Sequence, residues 1–140
     1  MVVDVVALDV SEVRLMNIAL WIVQALLALV FLASGARKLA PPEMARVKAT
    51  PLLADLPLPF VRFIGAAELL GAIGLILPGA TKIAPVLTPA AAVGIALLML
   101  CATLVHAARR EYAKIGLTCG LLLLAVFAVY GRLVLVPIAG

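Results

Sequence analysis

Glu68 stands eight residues into the apolar run FVRFIGAAELLGAIGLILPG, residues 60–79. At 1.5 Å per residue it lies about 12 Å along a helix from Phe60, at a depth where a carboxylate costs about 2.5–3.5 kcal/mol on insertion scales. Such a group has to face the interior of a helix bundle, find a partner, or be protonated. Arg62 is not an obvious partner, because six residues at about 100° each set it about 240° around the helix. Gly65, Ile64, Gly71, Ala72 and Leu75 share the face of Glu68, and small residues on that face admit a neighbouring helix closely. Chain order offers Lys38 as a partner, with Ser34 one turn deeper, and His106, with Arg109 or Arg110 within a turn; Gln24 lies deeper still. An acid, a cation and an imidazole gathered in one leaflet can share protons, since histidine titrates near neutrality. They can equally form a polar pin that locks helix register and conducts nothing. Glu68, Lys38 and His106 are therefore the candidates for chemistry, and Ser34, Gln24, Gly65 and Arg109 the candidates for ligand binding.

The elements that carry these residues follow from composition. The 140 residues are 66% hydrophobic and 13% charged, with a mean hydropathy of +1.29, against roughly half apolar and a quarter charged in a soluble domain. A compact soluble fold has no way to hide that much apolar surface, so lipid is the solvent. Four apolar runs are long enough to cross the hydrocarbon core, at about 17–39, 60–77, 83–106 and 115–136. Short connections between them predict an all-α antiparallel four-helix transmembrane bundle. The second span is expected to close at Pro78-Gly79, and Pro85 and Pro89 fall in the opening turns of the third, where a missing N–H costs least. The connection APPEMARVKATPLLADLPLP holds five prolines. It is expected to lie at the membrane interface, held there by Val47, Leu52, Leu53 and Leu56, with a short helix near 43–49. Residues 1–16 lack the basic start and the cleavage site of a signal peptide and are expected to be an extension or a partly ordered arm before a single domain over 17–140.

Charge sets the expected orientation. Arg37, Lys38, Arg46, Lys48, Arg62, Arg109, Arg110 and Lys114 flank the first and third connections, whereas Arg14, Lys82 and Arg132 lie on the other side. Eight against three places the first group in the cytoplasm and both termini outside. The net charge of +4 thus reflects topology, and without a basic run or an aromatic stacking platform nucleic acid is not an expected partner. Cys101 and Cys119 are too few for a disulfide scaffold, and no CxxC or HExxH motif suggests a metal. They fall at similar depth on successive helices, where small apolar packing is favoured over a disulfide. Gly116-x-x-x-Gly120 invites close helix approach, expected within the bundle, with self-association between copies as the alternative.

Together, Ser34-Gly35-x-x-Lys38-Leu39, the proline-containing connection, Gly65-x-x-Glu68-Leu69-x-Gly71-x-x-Gly74-Leu75, Pro78, and His106-x-x-Arg109 resemble the DoxX-like family of small four-helix bacterial and archaeal membrane proteins. The resemblance covers about 17–133. It implies a subunit of a membrane oxidoreductase system in the cytoplasmic membrane, handling a small hydrophobic or quinone-linked molecule beside a partner protein. It also carries Lys38, Glu68 and His106 over as family-type polar positions. No cofactor motif accompanies them. Two other functions remain open: a non-catalytic scaffold or assembly factor, and a small transporter with Glu68 on its path. A pocket touching Glu68 would mark catalysis, and a closed, fully paired cluster would mark a scaffold.

Overall fold

A computed structural model describes residues 9–40 and 51–138. Within them the chain forms α1 (Val10–Leu39), a short α2 (Pro51–Ala54), α3 (Leu58–Thr81), α4 (Leu87–Ala108) and α5 (Tyr112–Tyr130), which runs on as a π-helical turn over Gly131–Leu135. Four of these helices are long and apolar enough to cross a membrane. The expected helix near 43–49, Val47 and residues 1–8 of the leader lie outside the described residues.

Helix boundaries depart from the sequence expectation where capping outweighs the apolar pattern. α1 starts at Val10 rather than near Asn17, because Asp9 and Glu12 form a capping box with each other's backbone, satisfying amides that would otherwise lack partners. At 30 residues, α1 is about 45 Å long. It therefore exceeds a hydrocarbon core of about 30 Å, and its polar first turns project beyond it. α3 does not close at Pro78. The ring forfeits one backbone bond, yet the last turn persists to Thr81, whose Oγ1 donates to the Leu77 carbonyl at 2.7 Å and accepts from Ile83 N at 3.3 Å. Lys82 then ends the helix in the left-handed conformation, with φ at 59°. α4 begins at Leu87 rather than near 83, with Pro89 on its buried face.

The spanning helices pack in chain order, α1 on α3, α3 on α4 and α4 on α5, and α5 closes back on α1. The interior is a column of Leu27, Phe31, Ala72, Leu75, Ala92, Ile95, Met99, Ala125 and Ala128. Large apolar side chains such as Phe63, Leu70, Leu104, Leu117 and Leu123 point outward, as a lipid-facing surface requires. Hydrophobic burial gives little preference for one helix pairing over another in lipid, so close packing at small residues sets the spacing. At Gly35 a Cβ would stand 2.6 Å from the Gly65 carbonyl oxygen, and at Gly65 it would stand 2.8 Å from Lys38 Cβ. α1 and α3 thus touch backbone to backbone. Gly71 meets Ile95 and Gly74 meets Ala91 in the same way across α3 and α4.

Gly116 and Gly120 behave differently. Both are exposed, and nothing lies within 4 Å of a Cβ built on either, so they do not pack α5 inside the bundle. Cys101 and Cys119 are likewise free and exposed rather than interior fillers. The two classes of glycine make opposite predictions. Gly35→Ala forces backbone apart and should destabilise the protein by about 1–3 kcal/mol. Gly116→Leu should leave thermal unfolding in detergent unchanged, and a matching loss in both variants would contradict this packing.

Candidate functional site

Lys38 and Glu68 meet where α1 and α3 approach most closely. The Lys38 ammonium donates to both carboxylate oxygens of Glu68, at 3.0 and 2.9 Å, and to Ser34 Oγ at 2.6 Å. An ammonium has three protons, and here all three have acceptors. The side chains are 12% and 6% exposed, so the pair is largely shielded from the bulk phase. Its geometry follows from glycine. With no side chain on Gly35 or Gly65, the Lys38 stem lies against the α3 backbone and its head reaches the carboxylate one turn further along.

His106 does not join this pair. It is buried at the end of α4, where its Nδ1 lies 2.5 Å from Glu111 Oε2. The carboxylate can only accept, so Nδ1 carries the proton. The connection makes this contact local: Glu111 N donates to the His106 carbonyl at 3.0 Å, and Arg110 takes a left-handed φ of 57°. The His106 bond holds the Glu111 carboxyl below its ordinary value of 4.5; burial opposes it, and Lys114 and Arg109 add to the lowering. Arg109 also donates to Asp55 at 2.9 Å, tying the end of α4 to the segment between α2 and α3. Among the described residues, no hydrogen bond or ion pair links His106 or Arg109 to Lys38 or Glu68.

Gln24 also belongs elsewhere. It is fully buried, donates Nε2–H to the Leu75 carbonyl at 2.5 Å and accepts from Arg132 Nε at 2.6 Å. Arg132, counted from sequence as a flanking charge, in fact lies inside the bundle at 3% exposure. It donates Nη1–H to Asn17 Oδ1 at 2.7 Å and sits over the Trp21 ring. Asn17, Trp21 and Gln24 are spaced i, i+4, i+7, so they share one face of α1. Arg132 continues the buried face of Ala125 and Ala128 on α5. These spacings are the signal in the sequence for a polar cluster separate from Glu68. A third polar contact, Thr103 Oγ1 to Thr118 Oγ1 at 2.9 Å, links α4 and α5.

Beside these clusters, α3 and α4 flank an open groove of about 620 Å³, lined by Ala67, Gly71, Gly74, Ala91, Gly94 and Cys101 among others. Its small residues are those that bring the two helices together, and its wall is almost wholly apolar. Glu68 does not line it. The predicted site residues therefore separate into one closed ion pair with Ser34 and Gly65, a histidine–carboxylate contact with Arg109, and a glutamine in the arginine cluster.

The family model described as the DoxX-like family matches residues 22–128. No curated protein and no solved structure matches the chain. The matched stretch includes Lys38, Glu68 and His106, whereas Asn17, Trp21 and Arg132 fall outside it.

Removing one member of a buried pair strands the other, at a typical cost of about 3–5 kcal/mol, while replacing both with apolar residues is often neutral. Lys38→Met should therefore lower thermal stability markedly, and Lys38→Met combined with Glu68→Leu should recover most of it. Additive losses in this double-mutant cycle would show that the two side chains do not depend on each other.

Proposed function

The chain belongs to the DoxX-like family, and from that premise we propose that it is a membrane subunit that holds a small lipid-soluble molecule of the quinone class beside an oxidoreductase partner. The groove between α3 and α4 carries this reading. Its volume, about 620 Å³, lies in the range of small-molecule sites, which are mostly apolar and largely preformed. Its open side faces the hydrocarbon phase, from which a lipid-soluble ligand would enter. On this reading the ligand's tail and ring lie against glycine and alanine, and the partner protein supplies the electrons and the redox group.

Glu68 then has a different part from the one its depth first suggests. Both its oxygens are held by Lys38, and it stands outside the groove lining. The pair supports a pin that fixes α1 on α3 and so keeps α3 in place as one wall of the groove. That closed pairing also favours the scaffold alternative, in which the bundle presents a face to a partner and the groove holds only lipid.

Cys101 separates the two functions, because it lines the groove and is exposed. In a Cys119→Ser background, a membrane-permeant maleimide should label Cys101. A fully substituted benzoquinone with a decyl tail, which offers no free ring position to a thiol, should slow that labelling severalfold. Gly94→Phe, filling space where no atom lies within 4 Å of a Cβ, should abolish the protection. Labelling indifferent to the quinone would remove the ligand reading and leave the scaffold.

We also propose a bacterial or archaeal cytoplasmic membrane as the site of action, with both termini outside. Support comes from the excess of basic residues flanking the first and third connections. A cysteine introduced at Lys48, in a chain lacking Cys101 and Cys119, should stay unreactive toward an impermeant reagent in whole cells, and labelling there would reverse the orientation.

A further inference from the structure

Arg132 is a buried cation whose partners among the described residues carry no countercharge. Its described partners are Gln24 Oε1, Asn17 Oδ1, the Val136 carbonyl at 3.3 Å and the Trp21 ring, whose centroid lies 5.0 Å from Cζ. All four are neutral, and among the described residues no carboxylate pairs with the guanidinium. Arginine cannot shed its proton to relieve this, and a lone charge in a low-dielectric interior is costly unless it is paired. Nη2 is buried and makes no hydrogen bond.

A second buried polar atom shares that condition. Thr88 Oγ1, at the start of α4, has no hydrogen-bond partner either. It lies beside Gly79 on α3: the position of a Cβ on Gly79 is 3.2 Å from Thr88 Oγ1 and 3.3 Å from Trp21 Cη2. Trp21 lies under the Arg132 guanidinium, and it is only half-buried. Arg132 is three residues short of the last residue of the π-helical turn, about 5 Å along the axis, near the level of lipid headgroups.

We propose that Arg132, with Trp21 as a displaceable wall, binds one phosphate oxyanion, borne by a lipid headgroup or free in solution. Such a group supplies the missing negative charge and accepts the Nη2–H bonds, a pairing for which the guanidinium fork is suited. This site is separate from the groove and stands whether or not the quinone reading does.

Trp21 is the single tryptophan of the chain, so its fluorescence reports on the site directly. The full chain, in a maltoside detergent free of phosphate, is titrated with inorganic phosphate and, separately, with phosphatidic acid in mixed micelles, diacylglycerol serving as the phosphate-free match. A saturable change in Trp21 emission is expected: with inorganic phosphate if a free anion is bound, with phosphatidic acid alone if the headgroup of a lipid is bound. Gln24→Glu places a carboxylate where Gln24 Oε1 already accepts from Arg132, supplying the countercharge from within. It should fold and weaken the apparent affinity about tenfold or more, and Arg132→Gln should do the same. Lys82→Gln, at an exposed cation on the same end, should leave the response intact. The proposal is overturned if neither titration of the unaltered chain saturates, or if folded Gln24→Glu responds as the unaltered chain does.

Discussion

Lipid offers no water to a charge, and the fold is arranged around that constraint at two levels of α1. Near its C-terminal end, Lys38 reaches across to Glu68 on α3. At its midpoint, Gln24 donates to the α3 backbone and accepts from Arg132 in the turn that continues α5. One helix is thus tied to two others by groups that cannot be left alone in hydrocarbon, and each tie fixes rotation and depth together. A slide of a single residue along α1 would separate Lys38 from its carboxylate and Gln24 from its carbonyl at once.

Apolar packing alone does not have this power. In lipid the outward-facing leucines are as well solvated as the inward-facing ones, so hydrophobic burial does not choose a register. The choice falls to close contact and to polar pairing, which here act at the same place. Gly35 and Gly65 bring two backbones together, and that proximity lets a lysine and a glutamate meet with every ammonium proton used. Along α3 the same device recurs at Gly71 and Gly74, but the residues facing α4 are apolar there, and an open groove results instead of an ion pair.

Much of this was legible in the sequence, for physical reasons that also mark where legibility stopped. Four long apolar runs can be little else than membrane helices, and a glutamate on a small-residue face implies a helix partner at its own depth. Lys38 could be named because it closes the preceding span. The capping box of Asp9 and Glu12 was equally readable but was masked by an apolar pattern that starts later. Register between α1 and α5 was not readable, because over a hundred residues separate Gln24 from Arg132 and nothing local relates them. Nor could the face of Gly116 and Gly120 be assigned, since a helix that is apolar all round has no pattern to tell lipid from protein. His106 was misplaced for the opposite reason: its partner Glu111 is so near in sequence that a left-handed turn at Arg110, invisible in composition, decided the contact.

The ring of helices closes through the first and last of them, and this bears on how the protein is made. α4 and α5 are joined by three residues and can enter the bilayer as one hairpin, with their connection ordered by His106, Glu111 and Arg109 as soon as it emerges. α1 meets α5 through the shared core and, beyond it, through Leu20 against Gly131 and through Asn17, Trp21 and Gln24 against Arg132. Until α5 is synthesised and inserted, the amide oxygens of Asn17 and Gln24 have no guanidinium to bind, and a chain without α5 would keep two polar side chains turned toward an empty quarter of the bundle. The fourth spanning helix therefore completes the first, and α1 waits for three later spans before its polar face is satisfied.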